Sequence, residues 1–356
     1  MGEQAMVRTQ PVQGADVWTG AQLAADPSWI FHLDTAHRIE AMAALAKVKA
    51  LNLPIEAITR DVFALPTLGP LLASLADTIE GGRGVALVRG VPIDDLPVED
   101  VERLFWGMAT HVGFPEPQDS SGKTLHHVRA EQAFATLDEA RTAFRNSNIR
   151  GYQTNVELQF HGDGSDALFF LCRRAGKKGG LSRVVSAGTA FNAVLRRDAE
   201  LAAILQEDFA FDTRGELGRD HPWQISPIFI EYGGKLSILY KRGYIDLAQR
   251  LDGVPPLTAR QVDALDALDA ALNDPANYHE FLMQPGDIQI ANNYNVLHSR
   301  TQFEDHLEPE KQRHMLRIWA TLRAHRRPIP PPFRKTREFA ASQRRRVDLG
   351  DNDSTA

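Results

Sequence analysis

Three side chains that can bind a metal stand in an ordered pattern. His161 and Asp163 are separated by one glycine, and His298 is an isolated histidine far downstream. On a strand, residues i and i+2 project to the same face, so His161 and Asp163 can reach one ion if a later strand brings His298 beside them. Two imidazoles and one carboxylate form the facial set that holds iron(II) and leaves coordination positions open. The pattern therefore predicts redox chemistry at a non-haem iron centre.

Two arginines follow the second histidine. Arg313 and Arg317 are four residues apart in a run that is predicted to be a strand, so they face the same side. Arginine forms a bidentate, charge-assisted pair with a carboxylate, which lysine cannot reproduce. A 2-oxo acid that chelates iron through its ketone and C1 carboxylate needs such a partner for its far end, and either arginine could supply it. The alternative is a salt bridge on the outer face of the strand.

Polar residues near the expected site are candidates for substrate binding. Asn155 and Glu157 precede the first ligand and share its face if the segment is extended, so they could hydrogen-bond a polar or cationic substrate. Tyr240 and Arg242 follow a predicted strand, in a segment that could act as a lid. The competing interpretations are a polar strand edge for the first pair and ordinary surface residues for the second.

Further histidines could support the site from outside the ligand set. His126 and His127 follow a flexible segment, and because adjacent strand residues point in opposite directions, at most one can face the pocket. His306 and His314 could hydrogen-bond the ligands, although a surface or structural role is the favoured interpretation.

Composition narrows the class of protein. With 356 residues and 43% apolar content the chain can build a large core, and a formal charge of -6 gives no reason to expect nucleic acid or an anionic membrane as partner. The single cysteine, Cys172, excludes an intramolecular disulfide and thiolate-rich metal sites, and its apolar neighbours predict a buried thiol. No apolar signal or membrane segment is visible, so we expect a cytoplasmic protein that acts on a small molecule. A homo-oligomer stays open.

Helices are predicted to dominate the first third of the chain, and short strands the rest. Helical spacing covers 37–48, 71–80 with a stop at Gly81-Gly82, 98–112, 187–205 and 258–272, the last capped by Thr258 or a neighbour. Strands are expected at 84–90, 167–171, 183–185, 228–232, 236–240, 287–291 and 315–322. Many short strands with turns between them indicate a sandwich or barrel. Residues 1–20 are predicted to be a flexible arm, 21–325 one catalytic domain, and 326–356 a polar, basic tail.

The motifs together resemble the taurine dioxygenase-like branch of the iron(II)/2-oxoglutarate-dependent oxygenases, which also includes clavaminate synthase-like enzymes. The resemblance rests on the segment from Glu157 to Asp166, on Gly179-Gly180 with the residues before it, and on the block from Pro285 to Trp319. It covers about residues 80–325 in the order of the family.

This resemblance implies a mainly β fold with flanking helices (α+β), a double-stranded β-helix of the jelly-roll, cupin-like type. It implies His161, Asp163 and His298 as iron ligands and Arg313 as the partner of the 2-oxoglutarate C5 carboxylate. Ser182 occupies a place where the family often has a threonine that contacts the co-substrate, and Arg317 matches a position that contacts either substrate or co-substrate.

The implied activity is oxidation, most simply hydroxylation, of an unactivated C–H bond of a small polar substrate such as an amino acid or natural-product intermediate. The reaction consumes O2 and 2-oxoglutarate and releases succinate and CO2. Two alternatives stay open from the residues alone: a cupin-type metal-binding module without oxidase activity, and a zinc-dependent hydrolase. Desaturation or cyclisation is also compatible with the sequence.

Overall fold

The computed structural model describes residues 7–146, 149–218, 220–324 and 326–335. Its α-helices are α1 Gly20–Ala25, α2 Thr35–Leu51, α3 Leu68–Glu80, α4 Val98–Val112, α5 Leu137–Asn146, α6 Ala187–Arg197, α7 Ala199–Ile204, α8 Arg242–Ala248, α9 Ala259–Asn273 and α10 Pro331–Lys335. Its strands are β1 Ile30–His32, β2 Val85–Arg89, β3 Gly113–Glu116, β4 Leu125–Val128, β5 Leu158–His161, β6 Ala167–Arg174, β7 Lys178–Gly179, β8 Ser182–Ser186, β9 Asp208–Asp212, β10 Trp223–Pro227, β11 Phe229–Tyr232, β12 Lys235–Ile238, β13 Tyr278–Phe281, β14 Ile288–Asn292, β15 Val296–Arg300, β16 Phe303–Glu304 and β17 His314–Leu322.

Two sheets form the centre of the molecule. The larger has seven strands in the order β1-β2-β14-β6-β17-β3, with β4 also paired to β17, and the smaller has the order β13-β8-β15-β5. Neighbours in both sheets are antiparallel except β1 and β2. Short ribbons join β9 to β10, β11 to β12 and β7 to β16. The prediction of a jelly-roll-like fold with flanking helices is confirmed by this arrangement.

Helices cover the outer face of each sheet, because the apolar side chains on that face need a partner to bury them. On β17, Leu316, Ile318 and Ala320 belong to one core with residues of α2, α3 and α4, whereas Arg317 and Trp319 point to the other face. A second core joins the small sheet to α6, α7 and α9. The inner faces of the two sheets therefore enclose the space in which β17 places its polar residues.

Most predicted elements are present, and one helix was predicted wrongly. The segment 187–205 was expected to be a single helix, but α6 ends at Arg197 and α7 begins at Ala199. Asp198 is in an extended conformation between them, and its side chain accepts a hydrogen bond from the backbone N–H of Glu200 as the N-cap of α7. Aspartate competes with the helical backbone in this way, which apolar spacing alone does not reveal.

The N-terminal segment is attached to the domain, in contrast to the predicted flexible arm. The Trp18 side chain is 1% exposed and donates a hydrogen bond to the carbonyl of Arg83 at 2.7 Å. The backbone N–H of Val12 donates to Oδ1 of Asn192 at 2.7 Å. The described part of the segment, from residue 7, is thus fixed by contacts distant in sequence; residues 1–6 lie outside the described residues.

The predicted C-terminal tail also begins inside the fold. Arg326 pairs with Asp166, and Arg327 pairs with Glu80 and donates to the carbonyl of Leu236. Phe333 of α10 is buried against the core of the small sheet. The basic and proline-rich composition predicted solvation, but these arginines find buried carboxylates that only the fold brings near. The rest of the predicted tail, 336–356, lies outside the described residues.

Two further predictions can be checked against the fold. Cys172 is buried, and burial raises the pKa of its thiol to about 12, as expected for an inert core cysteine. None of the described helices combines the length and apolar composition that crossing a bilayer requires.

Candidate metal and co-substrate site

The predicted metal-binding residues converge between the two sheets. His161 ends β5 and pairs in register with His298 on β15, so both imidazoles leave the small sheet on the same face. Asp163 lies just beyond the strand end, where its backbone N–H donates to Oδ1 of Asn293 at 3.0 Å. One ligand atom from each of the three residues lies within 4.8 Å of the other two. The aspartate is therefore placed by a turn after β5 and not by the strand itself.

Both imidazoles are in the form that binds a metal. Nδ1 of His161 lies 2.8 Å from the carbonyl oxygen of Gln159, which can only accept, so this nitrogen carries the proton and Nε2 keeps its lone pair. Burial lowers the pKa of His161 and holds that of His298 well below the usual range. Neither ring nitrogen of His298 has a hydrogen-bond partner among the described residues. A buried imidazole without partners is costly unless a ligand completes it.

The carboxylate of Asp163 is held in place and kept ionised. Its Oδ2 accepts hydrogen bonds from Nη1 of Arg317 at 3.1 Å and from Nε1 of Trp319 at 3.0 Å, and Nζ of Lys241 lies 3.5 Å from Oδ1. Burial alone would raise the pKa of Asp163, but Arg317 and Lys241 hold it well below its usual range. The site thus offers two neutral imidazoles and one anion, a donor set that fits iron(II) with positions left open.

Arg313 is buried and keeps a donor that could bind a carboxylate. Its Nη1 has no hydrogen-bond partner, and no carboxylate among the described residues lies within ion-pair distance of it. Gly180, at a φ of +69°, approaches so closely that a Cβ there would lie 3.2 Å from Nε of Arg313. A buried guanidinium with an unpaired Nη1, packed closely against the backbone of Gly180, fits the far carboxylate of 2-oxoglutarate.

Ser182 and Arg317 lie on different sheets, Ser182 on the small one and Arg317 on the large one. Ser182 begins β8 opposite Arg300, so both residues lie on the face of the small sheet that carries His298. Arg317 donates through Nε to Oε1 of Gln118 at 2.7 Å as well as to Asp163. The alternative of a salt bridge on the outer face does not hold for either arginine, because Arg313 and Arg317 are 6% and 7% exposed in the interior.

A cavity of about 1090 Å³ opens onto the metal-binding residues. Among the side chains that border it are His161, Asp163, Arg317 and Trp319, and farther out Tyr152 and Tyr244. The cavity therefore reaches the ligand set from the side of β5 and α8 and is large enough for a small substrate.

Asn155 and Glu157 are engaged in contacts that sequence reasoning did not anticipate. The Asn155 amide accepts from the backbone N–H of Phe134 at 2.7 Å and does not border the cavity. Glu157 is exposed at the cavity mouth, where its carboxylate pairs with Arg183 at 2.5 Å. The predicted strand does not extend back to these residues, because β5 begins at Leu158, and the bond to Phe134 does not favour a direct substrate contact by Asn155.

The predicted lid residues also differ from expectation. Tyr240 is fully buried, and its hydroxyl donates to Oδ1 of Asp269 at 2.5 Å, so a substrate-binding role for it is wrong. Arg242 begins α8 and borders the cavity, but it pairs with Asp246, Asp266 and Asp269. Both residues fasten the segment after β12 to α9 instead of forming an independent lid.

The additional histidines separate as the alternation on β4 requires. His126 borders the cavity and lies 3.1 Å from Oδ2 of Asp119, whereas Nδ1 of His127 lies 2.8 Å from Nε2 of His314. Neither His314 nor His306 joins the metal-binding group.

Three residues near the site were missed. Lys241 and Trp319 contact the aspartate, and Arg300 lies beside Arg313. The period of two along a strand was a usable signal for the last two, since Arg300 is two residues from His298 and Trp319 two from Arg317. Lys241 had no such signal, because it enters the site from a loop.

Two sheets that enclose two imidazoles, a carboxylate and a buried arginine define the class of jelly-roll iron oxygenases. Comparison with known proteins agrees: residues 47–319 match the model of the taurine catabolism dioxygenase TauD, TfdA family. The chain belongs to this family and is a non-haem iron, 2-oxoglutarate-dependent oxygenase, which confirms the predicted class, cofactors and activity.

Individual proteins are similar over most of the chain. FR-33289 synthase of Streptomyces rubellomurinus is 29% identical over 314 residues, which cover 87% of this chain and 90% of that protein. Asparagine oxygenase, solved with Fe(II), hydroxyasparagine and succinate, superposes with a TM-score of 0.63 at 18% identity over 82% of this chain and 93% of its own. The oxygenase OrfP, solved with Fe and alpha-ketoglutaric acid, gives a TM-score of 0.59 at 14% identity over 82% and 94%. The two structures share the fold.

Proposed function

We propose that His161, Asp163 and His298 bind the catalytic iron(II), and that Arg313 binds the far carboxylate of 2-oxoglutarate. The observation that carries this assignment is the convergence of three ligand atoms within 4.8 Å beside the cavity. The unpaired nitrogens of His298 and Arg313 support it, because each is a buried polar atom that a bound group would satisfy. Ser182 is proposed to contact the co-substrate from the same face of the small sheet.

When bound, iron(II) with 2-oxoglutarate and O2 supplies the oxidising power, with succinate and CO2 as by-products. The residues of the chain orient and shield. Arg317 and Trp319 fix the orientation of the Asp163 carboxylate, and the carbonyl of Gln159 fixes the tautomer of His161. Phe170 lies edge-on to His298 at 5.8 Å between ring centroids, which excludes water from that side.

We further propose that the substrate is a small polar molecule, such as an amino acid or natural-product intermediate, that is hydroxylated in the cavity. The cavity wall combines aromatic rings, Tyr152 and Tyr244, with charged side chains, Arg150 and Arg317, which suits a compact molecule with an ionic group. Structures similar in fold are of enzymes bound to hydroxylated asparagine and hydroxylated arginine. A cytoplasmic location and the state of assembly stay predictions. Membership of a dioxygenase family argues against the two alternatives, a metal-binding module without oxidase activity and a zinc-dependent hydrolase.

The test is a metal-binding and turnover experiment on four variants. His161→Ala, Asp163→Ala and His298→Ala should abolish iron(II) binding in anaerobic calorimetry and succinate formation from 2-oxoglutarate. His314→Ala serves as the matched histidine control, because its ring contacts His127 away from the metal-binding group. Retained iron affinity in any of the three, or its loss in the control, would contradict the assignment. A library of amino acids and related intermediates then tests the substrate class by mass increase of one oxygen.

A further inference from the structure

Two buried arginines stand together beside the proposed co-substrate site. Arg300 is 5% exposed and Arg313 is 6% exposed, and both guanidinium groups lie against the ring of Phe303, at 4.6 and 5.2 Å from its centroid. No carboxylate among the described residues is within ion-pair distance of either. Two like charges in a dry interior repel each other, and the aromatic ring offsets only part of that repulsion.

Arg300 is only half satisfied. Its Nη2 donates to the carbonyl of Thr154 at 3.0 Å and to the carbonyl of Val156, whereas Nε and Nη1 have no hydrogen-bond partner in the described part of the chain. Burial, followed by the charge of Arg313, lowers the pKa of Arg300, although guanidinium groups remain protonated in proteins. A buried cation with two unused donors points to an anion that completes it.

The satisfied side of Arg300 leads to the substrate cavity. Thr154 and Val156 border that cavity and precede β5, which carries His161. The neighbouring carbonyl of Asn155 accepts from the backbone N–H of Phe303, so the same segment is tied to the ring that both arginines contact. The Arg300 side chain thus connects the surroundings of Arg313 to the wall of the substrate cavity.

We propose that Arg300 is a positioning residue that shares the far carboxylate of 2-oxoglutarate with Arg313 and thereby orders segment 154–157. The inference rests on the proposed function, because it needs the co-substrate beside Arg313. Bound 2-oxoglutarate accepts hydrogen bonds from Nε and Nη1 of Arg300. The guanidinium is then fixed, and its hydrogen bonds to the carbonyls of Thr154 and Val156 become stronger. By linkage, the substrate binds more tightly after 2-oxoglutarate, and 2-oxoglutarate more tightly after the substrate.

The test measures co-substrate affinity and local order separately, without turnover. Anaerobic calorimetry with iron(II) gives the affinity for 2-oxoglutarate, and amide hydrogen exchange gives the protection of 154–157 with and without it. In the wild type 2-oxoglutarate should increase that protection. Arg300→Met removes both free donors, so it should weaken 2-oxoglutarate binding by about tenfold or more, which is the effect of losing even one charge-assisted hydrogen bond, and should abolish the added protection. Arg300→Lys keeps the charge but not the fork, so it should retain more affinity and still lose the protection.

Arg323→Met is the control, since it removes another arginine that bonds a backbone carbonyl, that of Thr110 in α4, but lies outside the site. It should leave both readouts unchanged. The proposal is overturned if Arg300→Met binds 2-oxoglutarate as the wild type does, or if 2-oxoglutarate still protects 154–157 in either Arg300 variant. If the methionine variant does not fold, Arg300→Lys decides the question. A wild type that does not bind 2-oxoglutarate refutes the proposed function as well, whereas dependence on Arg313 alone refutes only this inference.

Discussion

The side chains of this site differ in whether their polar atoms already have hydrogen-bond partners. Asp163 receives two hydrogen bonds and a nearby ammonium, so its charge is stabilised before any metal binds. Neither ring nitrogen of His298 has a hydrogen-bond partner among the described residues, and a bound metal would provide one with a ligand bond. Arg317 affects both residues, because it fixes the carboxylate of Asp163, which lies beside the imidazole of His298.

Replacing Arg317 should therefore weaken metal binding. Arg317→Met keeps much of the side-chain volume but removes the donor to Asp163, and loss of such a supporting contact typically reduces metal affinity about 10- to 100-fold. Competition with a chelator in anaerobic buffer measures the effect. The control is Arg183→Met, whose guanidinium pairs with Glu157 and Glu280 outside the metal-binding group. Unchanged metal affinity with a raised KM for 2-oxoglutarate would assign Arg317 to the co-substrate instead.

Strands and turns decide how closely these side chains approach. β15 supplies His298 and Arg300 from one face, and the turn between β7 and β8 brings the backbone of Gly180 against Arg313. A left-handed conformation at this position allows the close approach, and the missing side chain leaves room for the guanidinium.

Gly180→Ala tests the close approach by adding one carbon atom. The new Cβ would lie 3.2 Å from Nε of Arg313, so the arginine must shift, and we expect a higher KM for 2-oxoglutarate with unchanged affinity for iron. Gly234→Ala is a matched control, since Gly234 has a φ of +70° but an added Cβ there would meet nothing within 4 Å. Both variants should lose about 1 kcal/mol of stability from backbone strain. An equal change of KM in the two variants would show that strain, not contact with Arg313, is responsible.

The C-terminal segment is bonded to a buried carboxylate in the interior of the molecule. Glu80, at the end of α3, accepts hydrogen bonds from Arg327, Lys235 and Asn292. Asn292 is adjacent to Asn293, which binds the backbone of Asp163. The C-terminal segment therefore stabilises the strand end that supports the metal-binding aspartate, at a distance from the site itself.

Arg327→Met should destabilise the entire fold. It leaves Glu80 buried with one cation fewer, and removal of one partner from a buried ion pair costs about 3 kcal/mol or more. Urea denaturation followed by circular dichroism measures the change in the free energy of unfolding. Arg260→Met is the control, because the Arg260 ion pairs with Asp198 and Glu200 are exposed and should contribute nothing measurable. Equal midpoints for the two variants would show that the buried cluster does not stabilise the fold.

Residue types and spacing were enough to predict the three candidate ligands and a sandwich or barrel, and the resemblance that these motifs carry implied the family and its jelly roll. The period of two on β15 and β17 determines which residues share a face, and chemistry determines which of them suit a metal or a carboxylate. His161, Asp163, His298 and Arg313 could be chosen on these grounds because their types and their order along the chain fit a metal with a carboxylate-bearing co-substrate.

Partner choice was decided only by the tertiary structure. Asn155 and Tyr240 looked like substrate contacts, but the fold gives them Phe134 and Asp269 as partners. Arg300 had no evident role in the sequence. The fold places it beside Arg313, and neither arginine has a carboxylate of the described residues within ion-pair distance. A polar side chain bonds whatever group the packed chain brings within about 3 Å, and that group is usually distant in sequence.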